Sequence, residues 1–274
     1  MKLLLPYTYF FGIDYSASKD AHTKIWITES ILKNSKLYIT NLYSLNEVSS
    51  KFTLEDCNSY LVNMVLNSKE GIFGFDFSFS IPEIFVGEST WNEFIISFSE
   101  RWPSPQIFRN DLKTKFPGKE IKRTTEIESK VPFSSYNLWI YKQTYYGINN
   151  IINPLLRTKK VNFLPFNGIN LKKINLVESC PASFLKRIST NKDLSKHYKG
   201  KGEKHIKNRI ELLDLLSRSY SFKFEKKEFI QKITQNTEGD AIDSLICCLS
   251  SFKSISELDS NIMSKINKKE GYIF

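Results

Sequence analysis

From Tyr7 to Asp14 the chain reads YTYFFGID, an apolar run that predicts a strand closed by an aspartate. Alternating positions in TKIWITES (Thr23–Ser30) and SKLYITNLYSL (Ser35–Leu45) predict two more strands, joined by a hairpin around Lys33–Ser35. Behind a capping Thr53, apolar residues at Leu54, Leu61, Val62, Val65 and Leu66 predict a helix to Ser68. The segment GIFGFDFSFSIP (Gly71–Pro82) is apolar on both faces, as in strands buried within parallel sheets, and stops at Pro82.

The pattern then turns helical. Thr90–Trp102 predicts a helix that stops at Pro103 and Pro105, Arg109–Lys130 is polar and turn-rich, and Asn137–Leu156 predicts a long helix with aromatic and aliphatic faces. A fifth strand is expected over Lys172–Glu178, with a helix opened by Pro181. Lys204–Ser219 and Thr237–Phe252 follow as amphipathic helices, and the chain from Lys253 is polar. Three hairpin-linked strands followed by parallel crossovers imply an α/β fold. The expectation is a mixed five-stranded sheet in the order 3-2-1-4-5, strand 2 antiparallel, flanked by helices. Residues 1–252 then form a single domain with a helical insertion at about 83–171, and residues 253–274 form a C-terminal tail.

The 274 residues are 41% apolar, enough for a sizeable core. No apolar run is long enough to span a bilayer. The start MKLLLPYTYFFGI has one lysine, an internal proline and no small-residue cleavage site, so it reads as the first strand rather than a signal peptide. Cys57, Cys180, Cys247 and Cys248 show neither metal-site nor disulfide spacing, so a reducing, cytoplasmic setting is expected. The net charge of +10 suits a polyanion such as nucleic acid, although the Lys-, Asn- and Ile-rich composition is also what an A/T-rich coding bias produces. Charge is concentrated between Lys186 and Arg209, where nine Lys/Arg accompany only Asp193 and Glu203. That stretch reads as a basic loop entering a helix, or as a solvated face.

Asp14 closes strand one, Asp76 sits in strand four and Glu178 closes strand five. If strands one and four are parallel neighbours, Asp14 and Asp76 emerge at one sheet edge, where open α/β sheets hold ligands. Adjacent carboxylates repel unless a cation lies between them, and oxygen ligands favour Mg²⁺ or Mn²⁺. In EGDAIDSLICCL, Asp240 and Asp243 are helix neighbours at i and i+3. Asp243 flanks the stripe Ile242, Leu245, Ile246 and Leu249, whereas Asp240 reaches the sheet only from the first turn, where acids also suit the helix dipole. Turn caps or buried hydrogen bonds would also account for Asp14 and Asp76 singly, and an ion pair for Glu178.

GIDYSAS, GFDFSFSIP, VESCPASFLKR and the late GDAIDSL together resemble the ribonuclease H-like superfamily. The layout over roughly Tyr7–Phe252 is similar to the predicted-nuclease family catalogued as domain of unknown function 429, with Lys122–Leu156 and VESCPASFLK as its middle and E-x-x-P-A segments. The late Asp-x-x-Asp pair also resembles the final helix of RuvC-type junction resolvases. This resemblance implies a two-metal phosphodiester hydrolase. Asp14 would bridge the metals, Asp76 and Asp243 would each bind one, and Asp240 or Glu178 would complete a shell.

Around these acids, Ser16 and Ser18 suit a phosphate or a turn cap. Lys142, Tyr145 and Tyr146 suit backbone contact and base stacking, or a core position for the tyrosines. Lys199, Lys201 and Lys204 suit a phosphate backbone, and His197 and His205 read as surface residues. Two other readings share the fold class. In an ATP-using phosphotransferase of the actin and sugar-kinase type, GIDYSAS would be a phosphate loop. That reading lacks a duplicated domain and a late Gly-rich segment, and leaves the Asp-x-x-Asp helix unused. The other is a non-catalytic nucleic-acid-binding or assembly module.

Overall fold

In the computed structural model the described residues are 8–168, 170, 172–189, 194, 196–257 and 266–274. A seven-stranded mixed sheet runs through them: β1 (Tyr9–Asp14), β2 (Trp26–Lys33), β3 (Lys36–Ser44), β4 (Ile72–Phe75), β5 (Val161–Leu164), β6 (Ile174–Glu178) and β7 (Phe222–Phe224). The spatial order is β5-β6-β4-β1-β2-β3-β7. β2 is antiparallel to both β1 and β3, and every other pairing is parallel. The sheet therefore has two more strands than the five expected. Each is a short edge strand of three or four residues, too brief to show a period in the sequence.

Further expectations need correction. β4 ends at Phe75, and the rest of FDFSFSIP is irregular chain, half-buried at Asp76 and buried from Phe77 on. The polar, turn-rich stretch expected at Arg109–Lys130 begins inside a helix, Pro105–Lys115, whose Ser104 cap accepts from the Ile107 amide at 3.3 Å. Its polar face hides that Phe108 and Leu112 are buried. The long helix expected at Asn137–Leu156 is broken into Tyr141–Gly147, a π-helical turn Ile148–Ile152, and Asn153–Thr158. The π turn lies just before Pro154, which lacks a backbone donor. The expected insertion at 83–171 is not wholly separate from the sheet, because its end supplies β5.

The expected tail is not a tail. The last helix, Asp240–Glu257, runs past Phe252, and residues 266–274 fold back into the core. There the Phe274 amide donates to the Glu178 carbonyl at 3.1 Å, and Ser250 Oγ donates to the Phe274 carbonyl at 2.8 Å.

Each face of the sheet carries its own core. Ile13, Phe73 and Phe75 pack against the helices of residues 83–158 and the helix Leu54–Asn67. Phe10, Ile72 and Val177 pack against the last helix and the helix Glu203–Ser219. The last helix lies across β1, β2 and β4, and its residues from Ala241 to Ser251 are all buried. No helix among the described residues is long and apolar enough to cross a membrane. The four cysteines form no disulfide.

Candidate active site

Strand register decides which carboxylates meet. β1 and β4 are parallel with Gly12 opposite Gly74 and Ile13 opposite Phe75. The next step brings together Asp14 and Asp76, and the Asp76 amide donates to the Ile13 carbonyl at 3.0 Å. Side chains alternate along a strand, so Gly12, Asp14, Gly74 and Asp76 share the face covered by the last helix. A Cβ on Gly12 would collide with the Ser244 carbonyl oxygen and the Cys248 amide, and one on Gly74 with the Cys247 carbonyl oxygen. The two glycines thus let the helix lie against the strands, which brings its first turn, with Asp240 and Asp243, over the strand ends. A sequence signal marks this arrangement: Phe-Gly-x-Asp-x-Ser occurs twice, at Phe11–Ser16 and Phe73–Ser78. The repeat is in register, with Phe11 stacked on Phe73 at 4.1 Å between ring centres.

The four aspartates sense one another. Burial, followed by repulsion from Asp243, Asp240 and Asp76, holds the Asp14 carboxyl well above the usual range. Asp76 is pushed up to about 8, by burial first and Asp243 next. Asp240 is pushed up to about 6, chiefly by burial, with Asp243 and Glu238 adding to it. Asp243 is 2% exposed, and its compensation is local. Tyr198 Oη donates to its Oδ1 at 2.8 Å, and Lys199 Nζ contacts its Oδ2 at 2.6 Å. The Asp243 carboxylate in turn raises the proton affinity of Lys199.

Neither Tyr198 nor the fixing of Lys199 was evident from sequence. The loop carrying them is held by buried Arg209, whose Nη1 donates to the carbonyls of Tyr198 at 2.5 Å and Gly200 at 3.1 Å. Asn208 Nδ2 holds the His197 carbonyl at 2.9 Å, and His205 Nδ1 lies 2.8 Å from the same oxygen. Gly239, at φ +81°, leaves room for the loop, since a Cβ there would crowd Tyr198 and Lys199. Arg209 is therefore an internal fastener rather than part of a basic surface. Lys201, on the turn beyond, and Lys204, in the first turn of the helix Glu203–Ser219, are exposed. Lys192 and Asp193 of the basic stretch lie outside the described residues.

Glu178 borders the same cleft, and its charge adds to the repulsion on Asp76, but its carboxylate is engaged away from the aspartates. It is in register with Phe75, which places it on the opposite face from Asp14 and Asp76. There it accepts from Arg123 Nη1 at 2.8 Å and from Nη2, and from the Phe79 amide at 2.9 Å. Arg123 is fully buried and also pairs with Glu126 at 2.9 Å and the Glu270 carbonyl at 2.9 Å. The expected metal-ligand role of Glu178 gives way to a structural ion pair that ties β6 to the middle helices and the C-terminal segment.

A cleft of about 370 Å³ opens beside the aspartates, lined by Asp76, Asp243, Tyr198, Lys199, Lys196 and Cys180 among others. Gln143 lines it too, and also lines a wider groove of about 850 Å³ that contains Ser16, Ser18 and Lys142. The expected phosphate contacts Ser16, Ser18 and Lys142 thus come together, although Ser16 Oγ and Ser18 Oγ also bond each other at 3.2 Å. Tyr145 does not join them. It is buried, its hydroxyl donating to the Trp102 carbonyl at 2.9 Å, so it is a core residue.

Four oxygen-donor carboxylates facing one ammonium suit a hard divalent ion such as Mg²⁺ or Mn²⁺. Among the described residues, however, no group of three or more His, Cys, Asp or Glu is arranged to hold a metal ion. With both Asp243 oxygens turned to Tyr198 and Lys199, a lysine ammonium supplies the positive charge that a metal would.

Comparison with known proteins returned no match: no family model, no curated protein and no solved structure is significantly similar to this chain.

Proposed function

We propose that the protein is a metal-dependent phosphodiester hydrolase acting on nucleic acid, of the ribonuclease H-like kind that its motifs resemble. The observation that carries this reading is the gathering of Asp14, Asp76, Asp240 and Asp243 at the ends of two central parallel strands, in mutual repulsion. Gathering four like charges, two of them buried, is costly, and a site built this way calls for a cation. Asp14 and Asp76, with Asp243 and Asp240 from the helix, would hold Mg²⁺ or Mn²⁺. Such ions supply an activated water and stabilise a leaving oxygen. Tyr198 orients Asp243, and Lys196 and Lys199 bring positive charge to the cleft where a phosphate would sit. Gln143, donating to the Tyr15 carbonyl at 2.7 Å and to the Asp76 carbonyl, steadies both strand ends.

The test is cleavage of single- and double-stranded DNA and RNA in Mg²⁺, in Mn²⁺ and in chelator, with Asp14→Asn as control. Metal-dependent cleavage lost in the variant supports the reading, and no cleavage of any substrate overturns it. The Lys199–Asp243 ion pair favours a second reading, a nucleic-acid-binding module whose acidic site is neutralised internally. Binding that is indifferent to chelator, without cleavage, identifies that case.

A further inference from the structure

The groove beside the acidic cleft holds an exposed aromatic that the hydrolase site does not use. Trp139 is 78% exposed, a large apolar surface to leave in water. Its backbone is nevertheless held in place. Its amide donates to Asn137 Oδ1 at 3.0 Å, Asn137 Nδ2 donates to Glu120 Oε2 at 2.7 Å, and Ser134 Oγ donates to the same oxygen at 2.9 Å. A turn held this way presents the exposed side chain from a fixed backbone position, which lowers the ordering cost of meeting a partner.

Its surroundings indicate the partner's chemistry. The groove wall comprises Trp139, Tyr146 and Phe52, with Lys19 and Lys142 as cations and Ser16 and Ser18 as hydroxyls. Both lysines are exposed. Aromatic faces interleaved with lysines are how proteins take up unpaired bases and their phosphates without reading sequence. At about 850 Å³ the groove lies in the upper part of the range of ligand-sized sites and is open to solvent. Gln143 is common to the groove and the cleft, so the groove adjoins the cleft that Asp76 lines.

We infer that this groove is a binding site for single-stranded nucleic acid, with a base stacked on Trp139 and its phosphates on Lys19 and Lys142. The inference rests on the hydrolase reading for the purpose of the site, since the strand beyond the groove would enter the aspartate cleft. A duplex hides its base faces and would not gain from the tryptophan.

The test is binding in chelator, where no cleavage occurs. Wild type, Trp139→Ala, Trp139→Phe and Lys142→Ala are titrated by fluorescence anisotropy with labelled oligo-dT, oligo-rU and a duplex of equal length. Thermal melts check folding, which a change at such an exposed side chain should leave intact. Single strands should bind more tightly than duplex. Trp139→Ala should weaken single-strand binding about tenfold, Trp139→Phe much less, and neither should alter duplex binding. Equal single-strand affinity in Trp139→Ala, a preference for duplex, or no binding by wild type would overturn the inference. Stacking lost in Trp139→Ala while wild type cleaves nothing in Mg²⁺ or Mn²⁺ would support the groove and overturn only the hydrolase reading.

Discussion

Gly12 and Gly74 stand opposite one another on β1 and β4, and each lies two residues before an aspartate on the same face. Their missing side chains admit the backbone of the last helix at Ser244, Cys247 and Cys248. The approach that packs the core is thus also what carries Asp240 and Asp243 to Asp14 and Asp76. Gly12→Ala should destabilise the protein by about 1–3 kcal/mol or more, because the added methyl meets backbone rather than a movable side chain. Chemical denaturation reads this directly, and an unchanged midpoint would show that the helix does not depend on the close approach.

Asp14→Asn keeps the shape of a buried carboxylate and removes its charge. Cleavage should fall by several orders of magnitude, while melting in chelator should be unchanged or slightly higher because one repelling charge is gone. A variant that cleaves as well as wild type places the chemistry elsewhere. One that fails to fold makes Asp14 a structural residue.

The raised carboxyls of Asp14, Asp76 and Asp240 set the sign of a pH effect. Between the unfolded value of about 4 and the folded values of about 6 and 8, the folded state binds more protons than the unfolded state. Stability in chelator should therefore fall as pH rises from about 4 to about 8. Denaturation midpoints at pH 5 and pH 8 test this, and the decline should shrink in Mn²⁺ and in Asp14→Asn. A midpoint that rises over the interval contradicts the buried-carboxylate account.

Lys199 sits at 2.6 Å from Asp243, where it competes with any added cation. Lys199→Met should increase Mn²⁺ affinity, measured by calorimetry. A decrease would mean that the lysine orients the carboxylate for the metal rather than standing in for it.

Glu178→Gln should cost about 3–5 kcal/mol, because it leaves the buried Arg123 guanidinium without its principal counter-charge. Its Mn²⁺ affinity, measured on the folded fraction, should equal that of wild type. A selective loss of metal binding would return Glu178 to the ligand set.

The sequence alone determined the strand closed by Asp14, the strand that leads to Asp76, the antiparallel hairpin, and the late helix bearing Asp240 and Asp243. These follow from local periodicity and strand-ending acids, which are written in consecutive residues. The tertiary structure decided the rest. Glu178 looks like its fellow acids in sequence, but its register with Phe75 turns it to the opposite face, and a one-residue difference in parity is set only by pairing. Tyr198, Lys199 and Arg209 acquire their roles from a loop that closes over a helix more than thirty residues away, a long-range contact with no periodic signature. The short edge strands β5 and β7 and the returning segment 266–274 are likewise stabilised by what they pack against rather than by their own pattern.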